Sequence, residues 1–122
     1  MEPVDLARSN GIGRIALGAG LMLAPGLAGR AWVGDDARST GAKVLASALG
    51  ARDVALGLGV LLAIKNDAPV RGWLEGAALA DVADFAATLA AGSGIPRIPR
   101  AGILALAATS AVGCALTARA ID

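Results

Sequence analysis

The chain has 122 residues, of which 56% are apolar and 17% are charged, and its formal net charge is +1. Soluble domains carry about 25% charged residues, so this composition indicates an integral membrane protein, and it gives no electrostatic basis for binding nucleic acid. With no histidine and a single cysteine, Cys114, the chain excludes zinc and haem sites of the usual kind, and we predict no cofactor.

Residues 11–33 form the first apolar segment, which is long enough to cross about 30 Å of hydrocarbon as a helix. Pro25 predicts a kink, or the end of the regular helix, within this segment. Arg14 lies near the end of the predicted span, so we expect its side chain to reach the membrane interface. A signal peptide is the competing interpretation. Because Arg30 and Trp32 disrupt the best cleavage site, we expect the segment to be retained.

The second predicted span covers residues 43–64 and follows a polar loop in which Asp36 or Ser39 is available as the helix N-cap. Arg52 and Asp53 lie next to each other near the middle of this span. Two charges at that depth cost about 5–7 kcal/mol on the insertion scale. We therefore expect this span to be only marginally stable in the membrane by itself.

The third predicted span covers residues 72–91 and follows a tight Asn-Asp-Ala-Pro turn at residues 66–69. A turn this short predicts that the second and third spans are antiparallel neighbours. Glu75 lies near the end of the third span and is expected at the interface. Asp81 and Asp84 lie near its middle, three residues apart, and can share one helix face.

The fourth predicted span covers residues 101–118, after a Gly/Pro-rich loop at residues 92–100 that we expect to be non-helical. Cys114 lies inside this apolar run, and we interpret it as a small buried residue. The predicted fold is therefore all-α: a four-helix transmembrane bundle, up-down-up-down, in a single domain of residues 1–122. Trp32 and Trp73 fall at opposite interfaces of this bundle. Lys and Arg are divided evenly between its two sides, so the orientation is not determined.

The mid-span charges predict a buried charge cluster of Arg52, Asp53, Asp81 and Asp84. Arg52 is the natural counter-ion, because its guanidinium can hold two carboxylates. One positive charge against three negative ones favours protonation of at least one carboxylate. A structural group of charges that fixes helix register explains the same residues. Although oxygen ligands for a hard cation stay formally available, we predict no metal site.

Three sequence runs, RIALGAGLMLAPGLAGRAWVG, LGARDVALGLGVLLA and RGWLEGAALADVADFAATLA, resemble an uncharacterised family of small bacterial integral membrane proteins with four predicted spans. The most specific part of the resemblance is the Gly-Ala-Arg-Asp run together with the acidic third span. The resemblance implies a multi-pass protein of the bacterial cytoplasmic (inner) membrane. It implies no catalytic role for any residue of the charge cluster.

Three functional hypotheses follow from these patterns. The first is a non-enzymatic membrane subunit or scaffold in the lipid bilayer, in which the charges hold the helices, a homo-oligomer or a membrane-protein partner together. The alternative is a small proton- or cation-coupled carrier that uses Asp81 and Asp84. The second alternative is an intramembrane enzyme acting on a lipid or isoprenoid with an aspartate as general acid. The enzyme is the least favoured, because few other polar side chains lie at matching depth.

Overall fold

The computed structural model describes all 122 residues, and it is helical almost throughout, with no β-strand. This confirms the prediction of an all-α fold. Short 3₁₀ helices at Gly34–Arg38 and Gly92–Gly94 lie between the α-helices. The five α-helices are α1 (Pro3–Leu23), α2 (Pro25–Val33), α3 (Thr40–Lys65), α4 (Arg71–Ala91) and α5 (Arg97–Ile121).

The first apolar segment, residues 11–33, is not one continuous helix. Helix α1 ends at Leu23, and α2 begins at Pro25 after a bend of 113° when the following 3₁₀ turn is included. Pro25 occupies the first turn of α2, where its missing N–H costs nothing. The predicted interruption at Pro25 is confirmed. Helix α1 also begins at Pro3, well before the predicted start of the span.

The other predicted helices are present, with small differences at their ends. Ser39 is the N-cap of α3, since its Oγ accepts a hydrogen bond of 3.1 Å from the Ala42 amide. Helix α5 begins at Arg97, not at residue 101, so the second half of the predicted Gly/Pro loop is helical. Pro99 lies in the first turn of α5, where backbone amides have no intrahelical acceptor, and a proline is therefore tolerated.

Two helices, α3 and α5, are long and apolar enough to cross a membrane, and the bent α1–α2 pair adds a third if it counts as one broken span. Helix α4 is long enough to cross a membrane, but its apolar sequence contains three acidic residues, Glu75, Asp81 and Asp84. The largest fully buried side chains are only Leu74 and Val60. Many large apolar side chains lie instead on the outside, where lipid would contact them, among them Leu58, Leu79, Leu89 and Val112.

Helices α1 and α3 pack antiparallel with their backbones in contact at four glycines. Gly11 faces Gly57, and Gly18 faces Gly50. A Cβ atom added at Gly57 would lie 2.5 Å from the Gly11 carbonyl oxygen, and one added at Gly50 would lie 2.5 Å from the Gly18 carbonyl oxygen. Small residues at such positions allow the close helix approach that stabilises packing in lipid.

Helices α4 and α5 form a second close pair, and the two pairs contact each other less extensively than their members do within each pair. The sequence predicted that α3 and α4 are antiparallel neighbours because of the turn at residues 66–69. They meet near that turn, where the Trp73 ring covers Gly59, but their closest partners are α1 and α5, respectively. Two ion pairs connect the α1–α3 pair to the α4–α5 pair: Arg14 with Asp81, and Arg52 with Asp84.

Candidate functional site

Five charged side chains meet where the two helix pairs join, and we call them the charge network: Arg14, Arg52, Asp53, Asp81 and Asp84. Arg14 Nη1 donates to Asp53 Oδ1 at 3.2 Å, and its Nη2 donates to Asp81 Oδ2. Arg52 holds Asp84 with both terminal nitrogens, at 2.9 Å and 2.6 Å. Its Nη2 also lies 3.4 Å from Asp53 Oδ1. The network therefore joins α1, α3 and α4 through alternating charges.

The predicted position of Arg14 at the membrane interface is wrong. It was expected to reach the interface, but it is only 5% exposed and lies at the centre of the charge network. The cause is the position of the helix start. Because α1 begins at Pro3, Arg14 lies near the middle of the helix and not near its end. The network consequently has two positive and three negative side chains, one arginine more than predicted.

The predicted cluster residues come together, but with a different pairing. Arg52 was expected to hold Asp81 and Asp84, and it holds Asp84 and contacts Asp53. Asp81 pairs with Arg14 instead. Glu75 lies outside the network on the surface, where its Oε1 accepts a hydrogen bond of 2.7 Å from Arg71 Nε.

Polar side chains of α1 and α5 complete the surroundings of Arg14. Arg14 Nε donates to Asn10 Oδ1 at 3.2 Å, and Nη2 lies 3.3 Å from Ser110 Oγ. Asn10 Nδ2 in turn donates to the sulfur of Cys114 at 3.2 Å, and Cys114 is buried, in agreement with its predicted role. Sequence reasoning missed Asn10. The available signal was its spacing of one helical turn from Arg14, which places both side chains on one face.

A cavity of about 330 Å³ opens onto the charge network. Nine of its 15 lining residues are hydrophobic, and they come mainly from α1, α2 and α5. Trp32 of α2 forms part of the lining, and its indole Nε1 donates to Thr88 Oγ1 at 3.0 Å, which fixes the ring. The polar side chains concentrate where the cavity meets the network: Arg14, Asp53, Asp81, Asp84 and Ser110.

Two carboxylate oxygens of the charge network accept no hydrogen bond from the protein. Asp53 uses only Oδ1, for Arg14 and Arg52, and Asp81 uses only Oδ2, for Arg14. Asp84 uses both oxygens for Arg52. Asp53 Oδ2 and Asp81 Oδ1 are not sealed from accessible surface, because the one fully buried side-chain atom without a partner is Arg52 Nε. Both aspartates line the cavity.

The structure contains no group of three or more carboxylate, histidine or cysteine side chains arranged to hold a metal ion. No protein-family model, no curated protein and no solved structure matches the chain.

Proposed function

We propose that the chain is a multi-pass protein of the bacterial cytoplasmic membrane with four spans, formed by α1, α3, α4 and α5. The apolar exterior of α3 and α5 supports this proposal. Helix α4 is the critical span, because Asp81 and Asp84 are too costly to insert alone. Arg14 and Arg52 compensate these carboxylates from neighbouring helices, and this makes a membrane position for α4 energetically acceptable.

We further propose that the protein is a small carrier that exchanges a proton for a monovalent cation at the charge network. The observation that favours this function is that Asp53 and Asp81 both line the cavity, and that each has an accessible carboxylate oxygen that accepts no hydrogen bond. Charged side chains that only hold helices together need not be accessible to an ion, whereas the binding site of a carrier must be accessible to the transported ion. The carrier therefore takes precedence over the scaffold that the sequence favoured.

The net charge of the network explains how proton release is coupled to cation binding. Two arginines and three carboxylates leave the network with one negative charge in excess when every group is ionised. An uncompensated charge in a low-dielectric site is costly, so one proton or one monovalent cation brings the network to neutrality. The two compete for the same excess charge, and binding of the cation displaces the proton.

The groups around the exchange site come from every helix packed against it. Arg14 of α1 contacts Asp81 of α4, Asp53 of α3, and Ser110 and Cys114 of α5. Arg52 of α3 contacts Asp53 and holds Asp84, which lies one helical turn from Asp81. Arg14 contacts both aspartates that have a free oxygen. The exchange site is therefore placed beside Asp53 and Asp81, the two carboxylates that line the cavity and have accessible oxygens.

Transport in proteoliposomes tests the carrier. Vesicles with an acidic interior and an enclosed pH-sensitive dye receive external Na⁺, K⁺ or an organic ammonium ion. We expect at least one of these cations to drive proton efflux above the rate of protein-free vesicles. Asp81→Asn should reduce this flux to the protein-free rate, because it removes the exchangeable charge.

Glu75→Gln is the matched control for this experiment, since it neutralises a carboxylate of the same helix that lies on the surface. We expect it to leave the flux unchanged. Absence of proton flux with every cation contradicts the carrier. Equal flux in the Asp81→Asn and Glu75→Gln variants contradicts the assignment of the site.

A non-enzymatic scaffold or subunit is the second candidate, and the pairing within the charge network favours it. Each arginine binds a carboxylate of α4, so the network joins the α1–α3 pair to the α4–α5 pair. In a scaffold, Asp84→Asn retains the oligomeric mass or partner association measured in detergent, whereas Arg52→Ala loses it. A scaffold also shows no cation-driven proton flux, which separates it from the carrier.

A further inference from the structure

We infer that the cavity binds a small organic monocation with an apolar body, placing its charged group between Asp53 and Asp81 and its body against Trp32. This inference rests on the proposed exchange site and names the class of its substrate. It follows from three properties of one cavity: the charge of its polar end, the chemistry of its walls and its volume.

The polar end of the cavity is suited to a single positive charge. Asp53 Oδ2 and Asp81 Oδ1 accept no hydrogen bond from the protein, and the complete network carries one excess negative charge. A divalent ion would exceed this charge, and the surrounding side chains do not form a metal-holding group. Anions are disfavoured by the three carboxylates that line the cavity.

The walls of the cavity favour an organic cation over an inorganic one. A metal cation that leaves water needs several oxygen ligands in its place, whereas only two carboxylate oxygens are free here. Nine of the 15 lining residues are hydrophobic and would cover an apolar body. The Trp32 ring, fixed by its hydrogen bond to Thr88, lines the same cavity and offers an aromatic surface for an apolar body.

The volume favours a small free molecule over a lipid headgroup. About 330 Å³ lies at the lower end of the range for ligand pockets, roughly 300 to 1,000 Å³. A zwitterionic lipid would supply an ammonium group, but its phosphate would lie beside the carboxylates of a network that is already negative. A monocation without an attached anion meets no such repulsion.

Fluorescence of Trp32 provides a direct binding measurement in purified, detergent-solubilised protein. Trp73→Phe leaves Trp32 as the single tryptophan, because the chain has only two. The probe is benzyltrimethylammonium, and the control ligand is neopentylbenzene, which has the same shape without the charge. We expect a saturable change with the cation, and binding of the neutral compound at least about tenfold weaker, which corresponds to about 1.4 kcal/mol.

Two variants test whether this binding uses the cavity. Ala28→Leu enlarges a side chain of the cavity wall and retains every charge, so it should weaken binding of the cation at least about tenfold. Asp81→Asn should do the same, and Glu75→Gln should have no effect. Equal affinity for the cation and the neutral compound, or full binding to the Ala28→Leu variant, overturns the inference.

The outcomes separate this inference from the proposed carrier. Saturable binding of benzyltrimethylammonium without proton flux retains the binding site and rejects the carrier. Proton flux driven by Na⁺ or K⁺ alone, with no binding of the organic cation, retains the carrier and rejects the organic substrate. A saturable change of Trp32 fluorescence with lysophosphatidylethanolamine, and none with benzyltrimethylammonium, assigns the cavity to a lipid headgroup and also rejects the inference.

Discussion

Replacing Arg14 by methionine is expected to lower the free energy of unfolding by about 3–5 kcal/mol, the usual cost of removing one partner from a buried ion pair. The substitution keeps an apolar side chain of similar length but leaves Asp53 and Asp81 without their shared counter-ion. Both carboxylates then lie in a site where an uncompensated charge is strongly unfavourable. Unfolding by added SDS in detergent micelles, followed by circular dichroism, measures the change.

Two further variants give this prediction its controls. Arg8 pairs with Asp5 on the surface at 3.1 Å, with both side chains about half exposed, so Arg8→Met should change stability by at most about 1 kcal/mol. Adding Asp81→Asn to Arg14→Met removes one stranded charge and should recover part of the lost stability. Equal stability of the Arg8 and Arg14 variants contradicts a central role for Arg14.

Gly18→Ala is expected to destabilise the protein by about 1–3 kcal/mol, the typical cost of overpacking. A Cβ atom at this position would lie 2.8 Å from Val54 Cγ2 and 2.9 Å from the Val54 backbone nitrogen. Because one of these atoms belongs to the backbone, α1 and α3 must separate to make room. The separation also weakens the contact of Arg14 with Asp53, since these residues lie on the same two helices.

Gly13→Ala in the same helix is the matched control, because a Cβ atom there meets nothing within 4 Å. Replacing an exposed helical glycine by alanine stabilises a helix by roughly 0.5–1 kcal/mol, so this variant should be neutral or slightly more stable. The same SDS titration compares the two variants. Equal effects at positions 13 and 18 would show that α1 and α3 do not pack through these glycines.

Apolar segment length predicted the helices well, and local chemistry predicted several of their ends. Ser39 caps α3 as a hydroxyl at that position should, and Pro25 interrupts the first apolar segment. The start of α1 was missed, because residues 3–10 are polar and resemble a terminal tail. They are helical nevertheless, and Asn10 supports Arg14 from this first part of the helix.

The composition of the charge network was partly predictable, but its pairing was not. Depth along the spans placed Arg52 near Asp84, and the structure joins them. The bond between Arg14 and Asp81 depends on which helices are neighbours, and this depends on backbone contacts at four particular glycines. The chain has 17 glycines, and the sequence does not show which four of them lie at the contact between α1 and α3. The cavity wall likewise depends on the bend at Pro25, because α2 begins there and contributes Ala28, Ala31 and Trp32 to the lining.

The scaffold and the carrier use the same ion pairs. They differ in whether the carboxylate oxygens of the network that accept no hydrogen bond have a function. Ion pairing explains why Arg14 and Arg52 are tolerated between the helices. It does not require an accessible cavity at Asp53 and Asp81, each of which retains an oxygen without a hydrogen bond. The exchange of a proton for a cation gives these two oxygens a role.

Infrared difference spectroscopy of the purified protein, with and without benzyltrimethylammonium, tests this exchange most directly. If a proton is exchanged for the cation, the cation should remove a carbonyl-stretching band of a protonated carboxyl group. This band should be absent in at least one of the two variants Asp81→Asn and Asp53→Asn. Glu75→Gln should leave the band and its response unchanged. Binding of the cation without loss of any carboxyl band, or a band that survives both substitutions, would contradict proton–cation exchange at the charge network.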